Sequence, residues 1–246
     1  MFRYQILIEF VGTNFRGWQI QKKGKTIQGL IQDKIKKILR EKITIYGAGR
    51  LDVGVHAKEQ SAHFDCIDEI NQLDKFLKSI NHFLNNEGVA ILKIKKRNDD
   101  FHARFSAKLR VYKYVIINRI SGPVLDQNRG WHIMKDLDLN LMKKGAKKLI
   151  GTKDFSTFRK STCRAKSPIK TMKSVKINFR KEKIEIEFIS QSFLQQQVRS
   201  MVGCLKYLGE KKWSIKKFEN IMNSKKRSLC APPAPPEGLY LMRVIY

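Results

Sequence analysis

Residues 110–118, RVYKYVIIN, dictate extended backbone. Side chains leave a β-strand on alternate faces, so Tyr112, Tyr114 and Ile116 line one face and Val111, Lys113, Val115 and Ile117 the other. Further strands and helices are legible on either side. Tyr4 to Phe10 alternates apolar with polar residues as a strand does, and Gly12 to Trp18 follows as a loop. Thr26 is placed as the N-cap of a helix whose apolar residues Leu30, Ile31, Ile35, Ile38 and Leu39 recur at helical spacing. Residues 43–46 and 61–65 read as strands, Leu73 to Leu84 as a helix and Val89 to Lys95 as a strand. The order β, α, β, β, α, β predicts an α+β fold with mixed, mainly antiparallel sheets.

The chain turns polar over residues 96–100, which sets a boundary between an N-terminal half, 1–100, and a C-terminal half, 101–246. In the second half residues 137–150 read as a helix. Residues 173–179 and 184–189 read as paired strands, residues 193–208 as a buried helix and residues 214–222 as another. Pro232, Pro233, Pro235 and Pro236 exclude regular structure before a last strand over 238–246. Two α+β halves facing each other would leave a central basic cleft.

Charge narrows the partner. The 246 residues hold 50 Lys+Arg against 22 Asp+Glu, a formal charge of +28, which points to a polyanion, with nucleic acid the leading candidate. No apolar run approaches the roughly 18 residues that span a bilayer, and the start lacks an apolar leader, so a cytoplasmic protein is expected. Cys66, Cys163, Cys204 and Cys230 form no C-x-x-C pair, and the histidines have no metal-ligand spacing. Free thiols, no metal and no nucleotide cofactor are the expectation.

The stretch from Tyr46 to Phe64, YGAGRLDVGVHAKEQSAHF, is where chemistry is sought. Gly47, Gly49 and Gly54 give the backbone access to positive φ and close approach. If residues 50–52 are extended, Arg50 and Asp52 leave the same face, so the guanidinium would hold the carboxylate ionised as a nucleophile or general base. On these residues alone, a turn-closing Asp52 explains the pattern equally well.

GAGRLDVGVHAKEQSAHFD closely resembles the GAGRTDAGVHA-type motif of the tRNA pseudouridine synthase A family, whose aspartate is catalytic. FVGTNFRGWQIQ, DFHARFSA with VYKY, FLQQQVRSMVG and APPAPPEGLYL extend the resemblance over nearly the whole chain. Leu51 stands where the family usually has Thr, and Gln197 where it usually has Met. The resemblance implies a pseudouridine synthase fold and the cofactor-free isomerisation of uridine at about positions 38 to 40 of the tRNA anticodon stem-loop, a base that must be flipped out. It implies Asp52 as the catalytic group, Arg50 holding the flipped state, and Arg199 paired with Asp52. Tyr112 would stack on the uracil and Leu239 would floor the pocket. Phe101, His102, Ala103, Arg104 and Phe105, with Thr162, Cys163, Arg164, Ala165 and Lys166, are expected to contact RNA, and Lys153 and Arg159 could extend that surface. A homodimer is implied as well. The rivals are a non-catalytic RNA-binding module of the same fold and an RNA hydrolase. Metal-dependent cleavage usually wants several clustered carboxylates, whereas Asp52 stands alone in its motif.

Overall fold

The computed structural model describes residues 1–246 and divides into two compact units: Met1–Lys108 with Tyr240–Tyr246, and Leu109–Leu239. Ten strands and five α-helices give the α+β class that the element order predicts. The first unit extends past the polar stretch at 96–100, through Lys108, and it takes back the end of the chain. The cause is local. Arg3 reaches the carbonyls of Asp99 and Phe101, and Tyr246 Oη donates to Ala103 O at 2.8 Å, so residues 99–103 are stitched to the first unit.

In the first unit β1 (Phe2–Phe10) pairs antiparallel with β3 (His56–Cys66) and with β4 (Val89–Arg97). The short β2 (Ile45–Gly47) lies antiparallel on β3, and β10 (Leu239–Ile245) runs parallel to it through Tyr240 and Leu241. Two helices, α1 (Ile27–Leu39) and α2 (Leu73–Leu84), supply the apolar cover. Thr26 caps α1 as predicted, its Oγ1 accepting from Gly29 N at 3.3 Å. The buried residues of α1 are Ile27, Gln28, Ile31 and Ile35, so the stripe sits nearer the N-terminus than the spacing alone suggested. Phe76, Ile80 and Leu84 repeat every fourth residue on α2, and Phe76 packs against Phe64, which stacks on Tyr4. Because strand side chains alternate, this face of β1 and β3 is apolar and the opposite one carries Arg3, Gln5, Ser61, His63 and Asp65. That polar face is stitched by side chains: Arg3 grips Asp65 through two 2.7 Å bonds, and Gln5 Nε2 donates to Ser61 Oγ at 2.9 Å.

In the second unit β5 (Leu109–Asn118) holds β6 (Trp131–Ile133) parallel on one side and β9 (Lys183–Ser190) antiparallel on the other. β8 (Ile169–Arg180) pairs with β9 across a tight turn in which Lys181 takes φ 54°, and β7 (Gly151–Asp154) pairs antiparallel with β8. β6 and β7 are too short to leave an alternation in the sequence, which is why neither was expected. The helices are α3 (Leu139–Lys148), α4 (Gln197–Gly209) and α5 (Ile215–Asn223). α4 starts four residues later than its apolar pattern, because Gln196 at its N-cap adopts a left-handed φ of 62°. A Cβ on Gly145 would stand 2.3 Å from Leu208 Cδ1, so α3 and α4 meet at a glycine. Tyr112, Tyr114 and Ile116 are all buried, on the common face that the alternation assigned them.

Candidate active site

Asp52 sits in the connection between β2 and β3, half-buried, and three kinds of contact shape that connection. Ala48 N donates to Ser61 O at 2.8 Å and Gln60 Nε2 to Gly49 O at 2.9 Å, which ties the start of the loop to the strand it leads into. Val55 N closes a turn onto Asp52 O at 3.3 Å, with Gly54 between them at φ 79°. Leu51 is 7% exposed, so the apolar side chain points into the protein and its neighbours on either side do not. The three loop glycines differ in their reasons. Gly54 alone takes a positive φ; Gly47 is required because a Cβ would stand 2.6 Å from the Trp18 indole; nothing in the structure requires Gly49, whose Cβ position faces open space.

Arg50 departs from its expected partner. It is exposed, and its Nε donates to Gln19 Oε1 at 2.8 Å in place of the expected ion pair with Asp52. Exposure still alternates over 50–52, with Leu51 buried between its neighbours, but the Arg50 guanidinium is taken by Gln19.

The FHARF segment forms a built loop on the polar face of β3. His102 is its pivot: its N–H donates to Ser106 Oγ at 2.9 Å, its carbonyl accepts from Ser106 N at 2.9 Å, and its Nδ1 accepts from Arg104 N at 3.1 Å. Ala103 is fully buried and donates its N–H to His63 Nδ1 at 3.2 Å. Phe105 stands 74% exposed with the Arg104 guanidinium 5.5 Å from its ring centre, while Phe101 packs inward under Arg97. Tyr46 on β2 stacks on His63 at 5.2 Å. Burial, reinforced by the nearby His102 and Arg3, pushes the pKa of His63 down to about 4, and burial lowers that of His102 as well. Both rings are therefore neutral near pH 7.

The remaining expected residues belong to the second unit or its edge. Tyr112 packs edge-on to Phe193 at 5.0 Å and is 9% exposed. Arg199 lies on α4, and its Nε donates to Ala234 O at 2.7 Å while its own carbonyl accepts from Ala234 N at 2.9 Å. A Cβ on Gly203, one turn on, would stand 2.1 Å from Pro232 O, so the proline-rich segment is pressed along α4. Leu239 is buried at the head of β10. Thr162, Cys163, Arg164, Ala165 and Lys166 form an irregular loop with Arg164 and Lys166 exposed. Its base is fixed where Lys160 N donates to Gln195 O at 3.0 Å, just ahead of α4. Lys153 on β7 and Arg159 are half-buried. No group of three or more metal-binding side chains clusters anywhere in the chain.

A basic α+β chain that carries an aspartate on a glycine-bent, strand-linking loop fits the RNA-modifying isomerases. The chain belongs to the tRNA pseudouridine synthase family, whose model matches residues 6–106 and 146–246. It is 68% identical over 246 residues, the whole of both chains, to tRNA pseudouridine synthase A of Pelagibacter ubique (strain HTCC1062). It is 41% identical over 244 residues to the tRNA pseudouridine synthase A of Parvibaculum lavamentivorans, and 42% to that of Paramagnetospirillum magneticum, covering 99% and 95% of those chains. Arg50, Asp52, Arg199 and Leu239 lie within the matched blocks, and Tyr112 lies between them.

Sequence reasoning missed what surrounds Asp52. Gly12, Gly17, Gln19 and His56 all touch its loop or the strand beyond it. The signals available were the pair of glycines in FVGTNFRGWQIQ, a stretch that reads as a loop and carries part of the family resemblance, and His56 inside the GAGRLDVGVHA motif.

Proposed function

We propose that the protein converts uridine to pseudouridine in the anticodon stem-loop of tRNA, at about positions 38 to 40, on a base flipped out of its stack. The observation that carries this reading is the Asp52 loop, a half-buried carboxylate on a turn whose flanking residues are held by the protein backbone. The reaction breaks the N1–C1′ bond, turns the uracil and rejoins it through C5, which gives up its proton while N1 gains one, so a fixed carboxylate that captures the separated sugar or base, with proton exchange through solvent, accounts for it and no cofactor is called on. Asp52 is that group. Arg50, exposed beside it, holds the flipped nucleotide; Tyr112 and Leu239 contact the base; Arg199 is a positioning residue for the carboxylate. The FHARF and TCRAK loops take the tRNA backbone, supported by exposed Arg104, Arg164 and Lys166. The protein acts in the cytoplasm as a homodimer, a reading supported by exposed Ile120, Val124, Leu125 and Met134 in the second unit. No helix is long and apolar enough to cross a membrane.

The test is incubation with unmodified tRNA transcript in EDTA, followed by mapping of pseudouridine. Conversion confined to the anticodon arm, with the RNA intact, is expected. Binding without conversion would favour the RNA-binding module, and strand cleavage the hydrolase.

A further inference from the structure

The segment Val11–Gln19 has no part in the reading above, yet it grips the Asp52 loop on both sides. On one side Trp18 N donates to Leu51 O at 3.1 Å, and Gly17, at φ 79°, comes so close that a Cβ would stand 2.6 Å from the same oxygen. Gln19 then takes the Arg50 guanidinium. On the other side a Cβ on Gly12 would stand 2.0 Å from Val55 O. Phe15 N donates to Gly12 O at 3.0 Å and Phe15 is 3% exposed, so the segment is a folded turn with a buried anchor. Its far end is tied to α1 by Ile27 N to Gly17 O and Gln28 N to Trp18 O.

One side chain holds the near end. Gly12 N donates to His56 Nδ1 at 3.0 Å, and His56 is 1% exposed with its ring stacked at 4.8 Å on Tyr240, its register partner on β10. To accept at Nδ1 the imidazole must be neutral with its proton on Nε2. A ring fixed by stacking and carrying one inward acceptor is suited to hold one backbone N–H in one place.

We propose that His56 is a positioning residue for the isomerisation: its Nδ1 latches Gly12, and through Gly12 the 11–19 segment clamps the backbone at Leu51 and Val55, which sets the direction of the Asp52 carboxylate. This rests on the assignment of Asp52 above. A carboxylate misplaced by about 1 Å costs rate without costing affinity for the bulk of a tRNA, so kcat and tRNA affinity separate.

His56→Phe keeps the aromatic stack and removes the acceptor, whereas His56→Asn offers Oδ1 near the place of Nδ1. Single-turnover rates at saturating tRNA and dissociation constants by filter binding are measured for both. The expected result is a fall of about 10- to 100-fold in rate for His56→Phe with affinity within about twofold, and recovery to within about threefold of wild type in His56→Asn. Should His56→Phe fail to fold, His56→Ala titrated with free imidazole reads the same contact, and the rate should rise to a plateau. The proposal is overturned if His56→Phe keeps the full rate, if His56→Asn is as slow as His56→Phe, if affinity falls in step with rate, or if imidazole restores nothing. A wild-type protein that modifies no tRNA, or an Asp52→Asn protein that still does, would instead remove the reading on which it rests.

Discussion

Asp52→Asn exchanges the charge and nucleophile for an isosteric amide, so pseudouridine formation should fall by at least about 10³-fold while tRNA binding stays within a few-fold. Retained turnover in a tritium-release assay would reject Asp52 as the reacting group. Leu51, the departure from the family pattern, is buried, so the loop is held by packing where Thr would offer a hydrogen bond. Leu51→Thr should lower stability by about 1 to 3 kcal/mol, since apolar contact is lost and a hydroxyl is buried, with little change in rate. Denaturant titration measures the first and single-turnover kinetics the second. Tyr112→Phe keeps the ring that packs on Phe193 and loses only the hydroxyl, so tRNA should still bind while turnover slows by up to about 10-fold. A protein with Ala at 112 that turned over at the wild-type rate would return this residue to the core.

Among the elements, β3 carries a titrating group, His63, whose shift bears on stability. The pKa of His63 lies at about 4, below its ordinary 6.5, because burial disfavours the charged ring. Between those values the unfolded chain binds a proton that the folded chain refuses. Stability is therefore full above about pH 6.5 and falls as pH drops toward 4, by on the order of 2 kcal/mol from this group. His63→Gln can still accept from Ala103 N but cannot titrate, so its melting temperature should fall less over the same range. An identical pH dependence in the variant would show that another group controls it. The sulfur of Cys204 on α4 lies 3.5 Å from that of Cys230, both free thiols, a contact that their 26-residue separation in sequence hides.

For the whole molecule the charge of +28 makes tRNA binding a polyelectrolyte event. Affinity should fall steeply with salt, and Arg104→Ala, Arg164→Ala and Lys166→Ala should each flatten the slope of log K against log salt by about 0.7 to 0.9 where that cation meets a phosphate. Binding measured from low to moderate salt checks this, and slopes unchanged in all three variants would remove these loops from the RNA surface.

Periodicity was enough for the larger elements, because a strand of alternating residues such as 110–118 or a helix with Phe76, Ile80 and Leu84 in line reports its own buried face. The N-cap at Thr26 was legible for the same reason: it depends on neighbours a few residues away. The family motifs likewise singled out Asp52. Sequence alone could not show which groups surround that carboxylate. Arg50 bonds Gln19 across 31 residues, Gly12 bonds His56 across 44, and Ala103 bonds His63 across 40. Such contacts leave no local pattern, since a glycine chosen for a close approach looks the same in sequence as one chosen for a turn. Only the packed chain distinguishes Gly17, pressed on the Leu51 carbonyl, from Gly49, which faces open space.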